Sequence, residues 1–209
     1  MPHIDIHSIP VTDFPLYSNW SYDRLYRYDM IKQPDVLMFM FLYNQQFPLE
    51  EKKANYEYYE PRCIHESSLS PSIHSILAAE IGYYEEAYRF FEFATRLDLD
   101  NYNRNTREGL HTTSIAAAWM NIVYGFGGMR SDGEELILNP SLPDRWSGYS
   151  FNLVYQGIRL KVTVEREKVE VQSLTKGENV ELLIYGHRHV IGDSGIRIPL
   201  PSGKGSCVS

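Results

Sequence analysis

Residues 70–82, SPSIHSILAAEIG, contain a strong helical signal. Ser70 and Pro71 are typical of a helix N-terminus, and Gly82 is typical of a helix end. Between them, apolar side chains recur at i, i+3, i+4 and i+8, which is the spacing of one helix face. These side chains belong to Ile73, Ile76, Leu77 and Ile81. The stretch therefore predicts a helix with one face in a core.

The helical period recurs on both sides of this segment, over residues 1–130. Ser21 is a candidate cap for a helix over residues 22–31, and Pro34 with Asp35 opens another helix through residues 36–43. Two further apolar stripes follow Gly82, and the second ends at a glycine cluster. The stripes are Ala87, Phe90, Phe91, Ala94 and Leu97, then Ile115, Ala118, Trp119 and Ile122, and the cluster is Gly125, Gly127 and Gly128. We expect five or six successive helices.

After Arg130 the apolar period changes from about 3.6 residues to about 2. Residues 151–155, 158–164, 169–171 and 180–184 alternate between apolar and polar side chains. Alternation of this kind predicts an antiparallel meander, which we expect to pack as a small sandwich. The fold class is therefore α+β. We predict a helical part at residues 1–130, an antiparallel β domain at residues 131–190 and, because glycine and serine are frequent, a loose tail at residues 191–209.

Composition argues against several classes of protein. With 209 residues, of which 43% are hydrophobic, the chain can build a real core. The net charge of −7 and the lack of a basic run do not suit nucleic acid. The apolar run at residues 36–43 is far shorter than the roughly 20 residues of a membrane-spanning helix. Cys63 and Cys207 are the only cysteines, which are too few for a disulfide framework. Residues 1–13 contain acids, histidines and prolines, so they do not have the basic and then apolar segments of a secretory signal. We expect a cytoplasmic protein without a membrane partner.

Two polar loops that each precede a predicted helix are candidate anion sites. Residues 56–70 place the hydroxyls of Ser67 and Ser68 before one helix, and residues 108–114 place His111 before another. Unpaired backbone N–H groups and the helix dipole favour negative charge at such positions, and phosphate would suit them. The alternative is that the serines only cap their helix and that His111 is a packing or capping residue.

Lys32 and Gln33 lie at the junction of the first two predicted helices. They could hydrogen-bond the hydroxyls of a sugar, although a lysine near a helix C-terminus also compensates the helix dipole. His187 and His189 alternate at the end of a predicted strand, without a cysteine or acidic partner at metal-ligand spacing. We interpret both histidines as solvent-exposed strand residues and predict no metal site.

Several blocks of sequence occur in an order that one enzyme family shares. They are KQPDV at residues 32–36, YYEP at 58–61, HESSLS at 65–70, ILAAEIG at 76–82, LDL at 97–99, EGLH at 108–111 and GFGG at 125–128, followed by Arg130. Together they closely resemble glycoside hydrolase family 65, which includes the inverting maltose, kojibiose and trehalose phosphorylases. Members of that family have an N-terminal β-sandwich, an (α/α)6 barrel and a small C-terminal β-sheet domain. The resemblance implies that this chain holds the C-terminal half of the barrel followed by the small antiparallel β domain.

The resemblance also implies a reaction. An α-linked glucosyl disaccharide and phosphate would give β-glucose 1-phosphate and a free sugar. Ser67, Ser68 and His111 would bind phosphate, while Lys32 and Gln33 would hold the glucosyl hydroxyls. Inorganic phosphate is the co-substrate, and no metal or organic cofactor is implied. No segment before Lys32 matches the one that holds the family's general-acid glutamate, so we expect the chain alone to be inactive. A homodimer of the full-length enzyme is compatible with the resemblance.

Glu66 leaves other functions open. Many of these phosphorylases have Asp at this position, and related hydrolases use a glutamate near the phosphate loop to activate water. In that alternative the chain is a fragment of an inverting α-glucoside hydrolase, with Glu66 as its catalytic base. A third alternative, favoured by the absent general acid, is a non-catalytic sugar-binding fragment.

Overall fold

The computed structural model describes residues 1–102, 104 and 106–201. In this part of the chain the α-helices precede Arg130 and the β-strands follow it. The helices are α1 Leu16–Asn19, α2 Tyr22–Leu25, α3 Asp35–Leu42, α4 Leu49–Tyr59, α5 Ser70–Glu80, α6 Tyr84–Arg96 and α7 Thr112–Met120. The strands are β1 Ile137–Leu138, β2 Gly148–Tyr155, β3 Ile158–Glu165, β4 Lys168–Ser173, β5 Val180–Ile184, β6 His187–Ile191 and β7 Ile196–Pro199. No helix among the described residues combines the length and the apolar character needed to cross a membrane.

Helix α5 is at the centre of the helical layer. It packs against α3, α4, α6 and α7, and all of its residues except Glu80 are buried. The sequence predicted the position of this helix but only one buried face. Surrounding helices also bury the polar side chains of Ser72, His74 and Ser75. The chain leaves α5 at Gly82, whose φ of +89° is a conformation that glycine adopts without a Cβ penalty.

Helices α5 and α7 run in the same direction. Helix α7 continues into a π-helical segment, Asn121–Phe126. The side-chain amide of Asn121 lies 3.0 Å from the carbonyl oxygen of Ser72. Four residues further along both segments, a Cβ added at Gly125 would lie 3.6 Å from the Cα of Ile76. Because the two helices are parallel, the loops in front of them lie at the same end of the helical layer.

The helix predicted at residues 22–31 is shorter than expected. Ser21 does cap it, since its hydroxyl accepts a hydrogen bond from the backbone N–H of Arg24 at 3.4 Å, but α2 ends at Leu25. The backbone of Ile31 instead pairs with residues 62–64, with N···O distances of 2.8 and 3.0 Å. This pairing satisfies backbone groups that a longer helix would have used. It also places residues 32 and 33 beside the loop that precedes α5.

The strands form two sheets around a common apolar core. One sheet has the antiparallel order β2-β3-β4-β7, and the other has the order β1-β5-β6. Strand β1 pairs with β5 in parallel, which a simple meander does not include. Alternate residues of β3 and β4 point into the core and are fully buried, together with residues of β5 and β6. These core residues include Leu160, Val162, Val164, Val169, Val171, Leu182, Ile184 and Ile191.

The prediction of a loose tail at residues 191–209 is wrong for its first part. Ile191 ends β6, and β7 at Ile196–Pro199 adds a fourth strand to the larger sheet. Val171 is the register partner of Ile196, and Val169 is the partner of Ile198. The sequence did not predict β7, because its apolar alternation covers only four residues in a stretch where glycine and serine are frequent. Residues 202–209 lie outside the described part of the chain.

Two glycines allow the helical layer and the sheets to approach closely. Gly128 has a φ of +59°, and a Cβ added there would lie 2.4 Å from the carbonyl oxygen of Asn139. A Cβ at Gly127 would lie 2.9 Å from the ring of Phe151. The ring of Trp146 packs against both the helical core and the sheet core. A larger residue at either glycine would separate the two layers.

A buried ion network also joins the layers. Arg130, just after the helical part, donates to the carboxylate of Glu80 at 2.8 Å and to the carbonyl oxygen of Tyr124 at 2.7 Å. Lys52 on α4 approaches the other Glu80 oxygen at 2.6 Å. The side-chain oxygen of Asn44 accepts from both cations. The end of α5 is therefore held by two cations that are themselves buried.

Candidate active site

The loop before α5 is folded by its own hydroxyl and backbone groups. Ser67 is buried, its hydroxyl accepts from the backbone N–H of Leu69 at 3.3 Å, and its carbonyl accepts from the N–H of Ser70 at 3.3 Å. Ser68 is half-buried beside it. No side chain of the described residues caps the N-terminus of α5. Ser67 therefore shapes a turn in front of α5 and does not cap the helix. The anion-site interpretation of the two serines stays a prediction.

Glu66 anchors this loop to the N-terminal segment. Its two carboxylate oxygens accept hydrogen bonds from the backbone N–H groups of Leu16, in a short contact, and Tyr17, at 3.1 Å. Burial raises the pKa of Glu66, and the opposing effects of these N–H groups and of the Lys32 charge do not cancel the increase. Glu66 therefore ties the loop before α5 to the first residues of α1.

Lys32 and Gln33 lie close to the same loop. The Lys32 ammonium is near enough to act on the Glu66 carboxylate, and it lies 4.3 Å from the centre of the Tyr17 ring. Gln33 lines a cavity of about 310 Å³ together with Lys32 and Tyr59. A cavity of that volume is at the lower end of small-molecule sites, which measure roughly 300–1,000 Å³.

His111 is held by Asp98 at the N-terminus of α7. The Asp98 carboxylate contacts Nδ1 of His111 at 2.5 Å and accepts from its backbone N–H at 2.9 Å. These two bonds fix the position of the residue and the direction of its ring, and they favour a proton on Nδ1. A carboxylate that orients a histidine in this way is a common partner of functional imidazoles.

The segment 14–17 connects the two loops. Glu66 binds the backbone of this segment from the side of α5. From the side of α7, the Arg104 guanidinium donates to the carbonyl oxygen of Phe14 at 3.3 Å. Together with the parallel direction of α5 and α7, these contacts put Ser67, Ser68 and His111 at one end of the helical layer. Their individual roles, and those of Lys32 and Gln33, stay predictions.

Sequence reasoning assigned no role to Asp98 or to the N–H groups of Leu16 and Tyr17. Asp98 lies in one of the resemblance blocks, but no local pattern connects it to a histidine 13 residues away. The two histidines near the C-terminus have no part in this geometry. Both lie on strand β6, as predicted, but only His187 is solvent-exposed, because His189 is half-buried.

Comparison with known proteins identifies the family. A sequence model of the glycosyl hydrolase family 65 central catalytic domain matches residues 3–120, and a model of the C-terminal domain of that family matches residues 129–191. This chain belongs to glycosyl hydrolase family 65. The resemblance and the α+β fold class that the sequence indicated are confirmed.

Several family 65 relatives are phosphorylases. A maltose phosphorylase of Bacillus subtilis is 48% identical over 82% of this chain and 22% of its own length. An alpha,alpha-trehalose phosphorylase of Thermoanaerobacter brockii is 44% identical over 93% of this chain and 25% of its own length. A solved structure assigned as a kojibiose phosphorylase from the human microbiome has a TM-score of 0.89 and 51% identity, over 95% of this chain and 26% of that one. The chain therefore spans about a quarter of the length of these relatives.

Proposed function

We propose that this chain supplies the phosphate-binding side of the active site of an inverting family 65 disaccharide phosphorylase. Its substrates would be an α-linked glucosyl disaccharide and inorganic phosphate, and its products β-glucose 1-phosphate and a free sugar. The observation that supports this most is the engagement of both Glu66 oxygens by backbone N–H groups. The uncapped N-terminus of α5 and the hydroxyls before it then remain for an anion.

In this proposal each group has one task. A carboxylic acid from outside this chain protonates the departing sugar oxygen, and phosphate attacks the opposite face of an oxocarbenium-like transition state. Phosphate needs no strong base but must be held in line with the bond that breaks. Ser67, Ser68 and His111 would hold it, with Lys32 and Gln33 on the glucosyl hydroxyls. Glu66 would fix the loop without contacting the sugar.

The hydrolase alternative depends on the same carboxylate. Its favourable observation is that burial raises the pKa of Glu66, as a catalytic base often requires. The N–H groups of Leu16 and Tyr17 each bind one oxygen of this carboxylate, which holds it against the N-terminal segment and leaves one lone-pair site on each oxygen. The geometry supports a positioning carboxylate better than a base, and we therefore favour phosphorolysis.

A chimera tests the proposed function. This chain would replace the matching segment of the Bacillus subtilis maltose phosphorylase, so that the remaining catalytic segments come from that relative. We expect the chimera to release glucose 1-phosphate from maltose only when phosphate is present. The chain alone, with its fold verified by circular dichroism, is expected to give no turnover. Phosphate-independent release of glucose would support the hydrolase, and a folded chimera without turnover would support the non-catalytic alternative.

The chimera also tests the phosphate contact assigned to His111. His111→Ala should raise the KM for phosphate, because a hydrogen bond to a charged group is lost, at a cost on the order of 1.5–3 kcal/mol. This corresponds to about 10-fold to 150-fold in affinity. Asp98→Asn should raise the same KM by a smaller factor, since the ring remains but its orientation is no longer fixed. Initial rates at varied phosphate concentration would measure both effects.

Asp100→Asn is the matched control for the Asp98 variant. Asp100 pairs with Arg96 on the protein surface. The KM for phosphate should therefore be unchanged in this variant. If His111→Ala had unchanged phosphate kinetics in a folded chimera, His111 would have no place in the phosphate site.

A further inference from the structure

His65 has a backbone conformation that is uncommon for a residue with a side chain. Its φ is +51°, in the left-handed region, where histidine, asparagine and aspartate occur more often than other residues except glycine. The residues before it, 62–64, pair with the backbone of Ile31, and α5 begins at Ser70. The left-handed turn at His65 therefore sets the direction in which residues 66–69 cross from the paired segment to the helix.

The His65 side chain closes the loop that its backbone opens. Nδ1 of the imidazole lies 2.6 Å from the hydroxyl oxygen of Ser70, which is within hydrogen-bond distance. Ser70 is the first residue of α5 and is fully buried, so water does not compete for its hydroxyl. The contact thus joins the two ends of the loop at residues 66–69.

Neighbouring helices hold the imidazole in place. Its ring centre lies 4.6 Å from that of His74 on α5 and 4.8 Å from that of Phe90 on α6. A left-handed conformation at a residue with a side chain is unfavourable and persists only where surrounding contacts impose it, most often at active sites and ligand clamps. Here the conformation directly precedes Glu66 and Ser67, so the loop is the segment that it orients.

We propose that His65 is a positioning residue for phosphate, because it holds the loop at residues 66–69 in front of α5. The inference rests on the proposed function, in which Ser67 and Ser68 bind the anion. Glu66 ties this loop to the N-terminal segment, and His65 ties it to α5. His65 acts on phosphate through the loop and makes no contact of its own with the anion.

Three substitutions separate the backbone of His65 from its side chain. Asparagine tolerates the left-handed conformation and keeps a hydrogen-bonding atom near the position of Nδ1, glycine keeps only the conformation, and alanine keeps neither. In the chimera with the maltose phosphorylase, the KM for phosphate should change least in His65→Asn, more in His65→Gly and most in His65→Ala. We expect a rise of at least about 10-fold in His65→Ala, because a misplacement of roughly 1 Å can cost on the order of 10²-fold. The KM for maltose should be unchanged in all three variants.

Gln156→Ala is the matched control. Gln156 also has a φ of +51°, but it lies in the turn between β2 and β3. Alanine meets the same backbone strain there, so a loss of stability is common to both variants. The KM for phosphate should nevertheless be unchanged in Gln156→Ala. An equal rise in the two alanine variants would show that lost stability alone changes the phosphate kinetics, and the proposal would be wrong.

Amide hydrogen exchange of this chain tests the positioning without the reaction. The N–H groups of Leu69 and Ser70 bind the hydroxyl and the carbonyl of Ser67, each at 3.3 Å, so their exchange rates report the turn. Both rates should rise in His65→Ala relative to the amides of β3, which report the stability of the fold. They should stay near those of the unmodified chain in His65→Asn. Unchanged exchange at both amides in a folded His65→Ala chain would overturn the proposal.

The kinetics distinguish failure of this inference from failure of the proposed function. A folded, unmodified chimera without phosphate-dependent turnover would overturn the proposed function, and the phosphate role of His65 with it. A phosphate-dependent chimera in which His65→Ala leaves the KM for phosphate unchanged would overturn the role of His65 alone. Circular dichroism of each variant would verify that the fold is retained.

Discussion

Replacing Glu80 by alanine is expected to lower the free energy of unfolding of this chain by about 3–5 kcal/mol, the usual cost of removing one partner of a buried ion pair. Glu80 lies between Lys52 and Arg130, whose side chains are only 3% and 6% exposed. Without the carboxylate, two cations would remain buried with Asn44 and backbone oxygens as partners. The shift of the urea midpoint, followed by near-ultraviolet circular dichroism, would measure the loss.

The surface pair of Arg96 and Asp100 provides the control. It joins residues four apart on an exposed face, with N···O distances of 2.6 and 2.7 Å. Asp100→Ala should change the urea midpoint far less than Glu80→Ala, because solvent already screens that pair. Equal midpoints for Glu80→Ala and the unmodified chain would show that the network does not stabilise the fold.

The same network makes stability depend on pH. Burial alone would raise the pKa of Glu80, but the charges of Arg130 and Lys52 outweigh it and hold the pKa below its usual range. A carboxyl group with a depressed folded-state pKa stabilises the fold fully above its unfolded-state pKa. That contribution is lost as the pH falls through the folded-state pKa. The difference in urea midpoint between Glu80→Ala and the unmodified chain should therefore shrink under acidic conditions.

Local sequence was sufficient for much of the fold. Helix α5 begins at Ser70 and is followed by a left-handed glycine, as its capping signals indicated. The alternation in β3 and β4 matches the buried faces of those strands. These features depend on short-range spacing, which the sequence displays directly. By contrast, residues 26–31 are not helical, because Ile31 pairs with a segment about thirty residues away.

Most of the site could not be predicted from local patterns. The sequence identified the two loops, since each precedes a helix and is rich in polar groups. It did not reveal that Glu66 binds N–H groups 49 and 50 residues away. Nor did it reveal that Cys63 and His65 meet His74, since the turn at residues 66–69 brings them together. Such contacts depend on how the helices pack, and a single sequence carries no direct record of packing.

Glu66 distinguishes phosphorolysis from hydrolysis most sharply. In the chimera with the maltose phosphorylase, Glu66→Asp should keep most of the phosphate-dependent activity, because a carboxylate remains to bind the N–H groups of Leu16 and Tyr17. If Glu66 were a catalytic base, the same change would withdraw it by roughly 1 Å and cost on the order of 10²-fold in rate. Glucose 1-phosphate and free glucose would be measured separately, with and without phosphate.

Glu66→Gln sharpens the same test, because it keeps the side-chain length and removes the charge. A positioning residue would retain one amide oxygen to accept a backbone N–H, so phosphorolysis should decrease without disappearing. A base would lose its proton acceptor altogether, and free glucose should no longer form. The phosphorylase proposal would be wrong if the unmodified chimera released only free glucose, at a rate that does not depend on phosphate, and if both substitutions removed nearly all of that activity. Glu66 would then be the catalytic base.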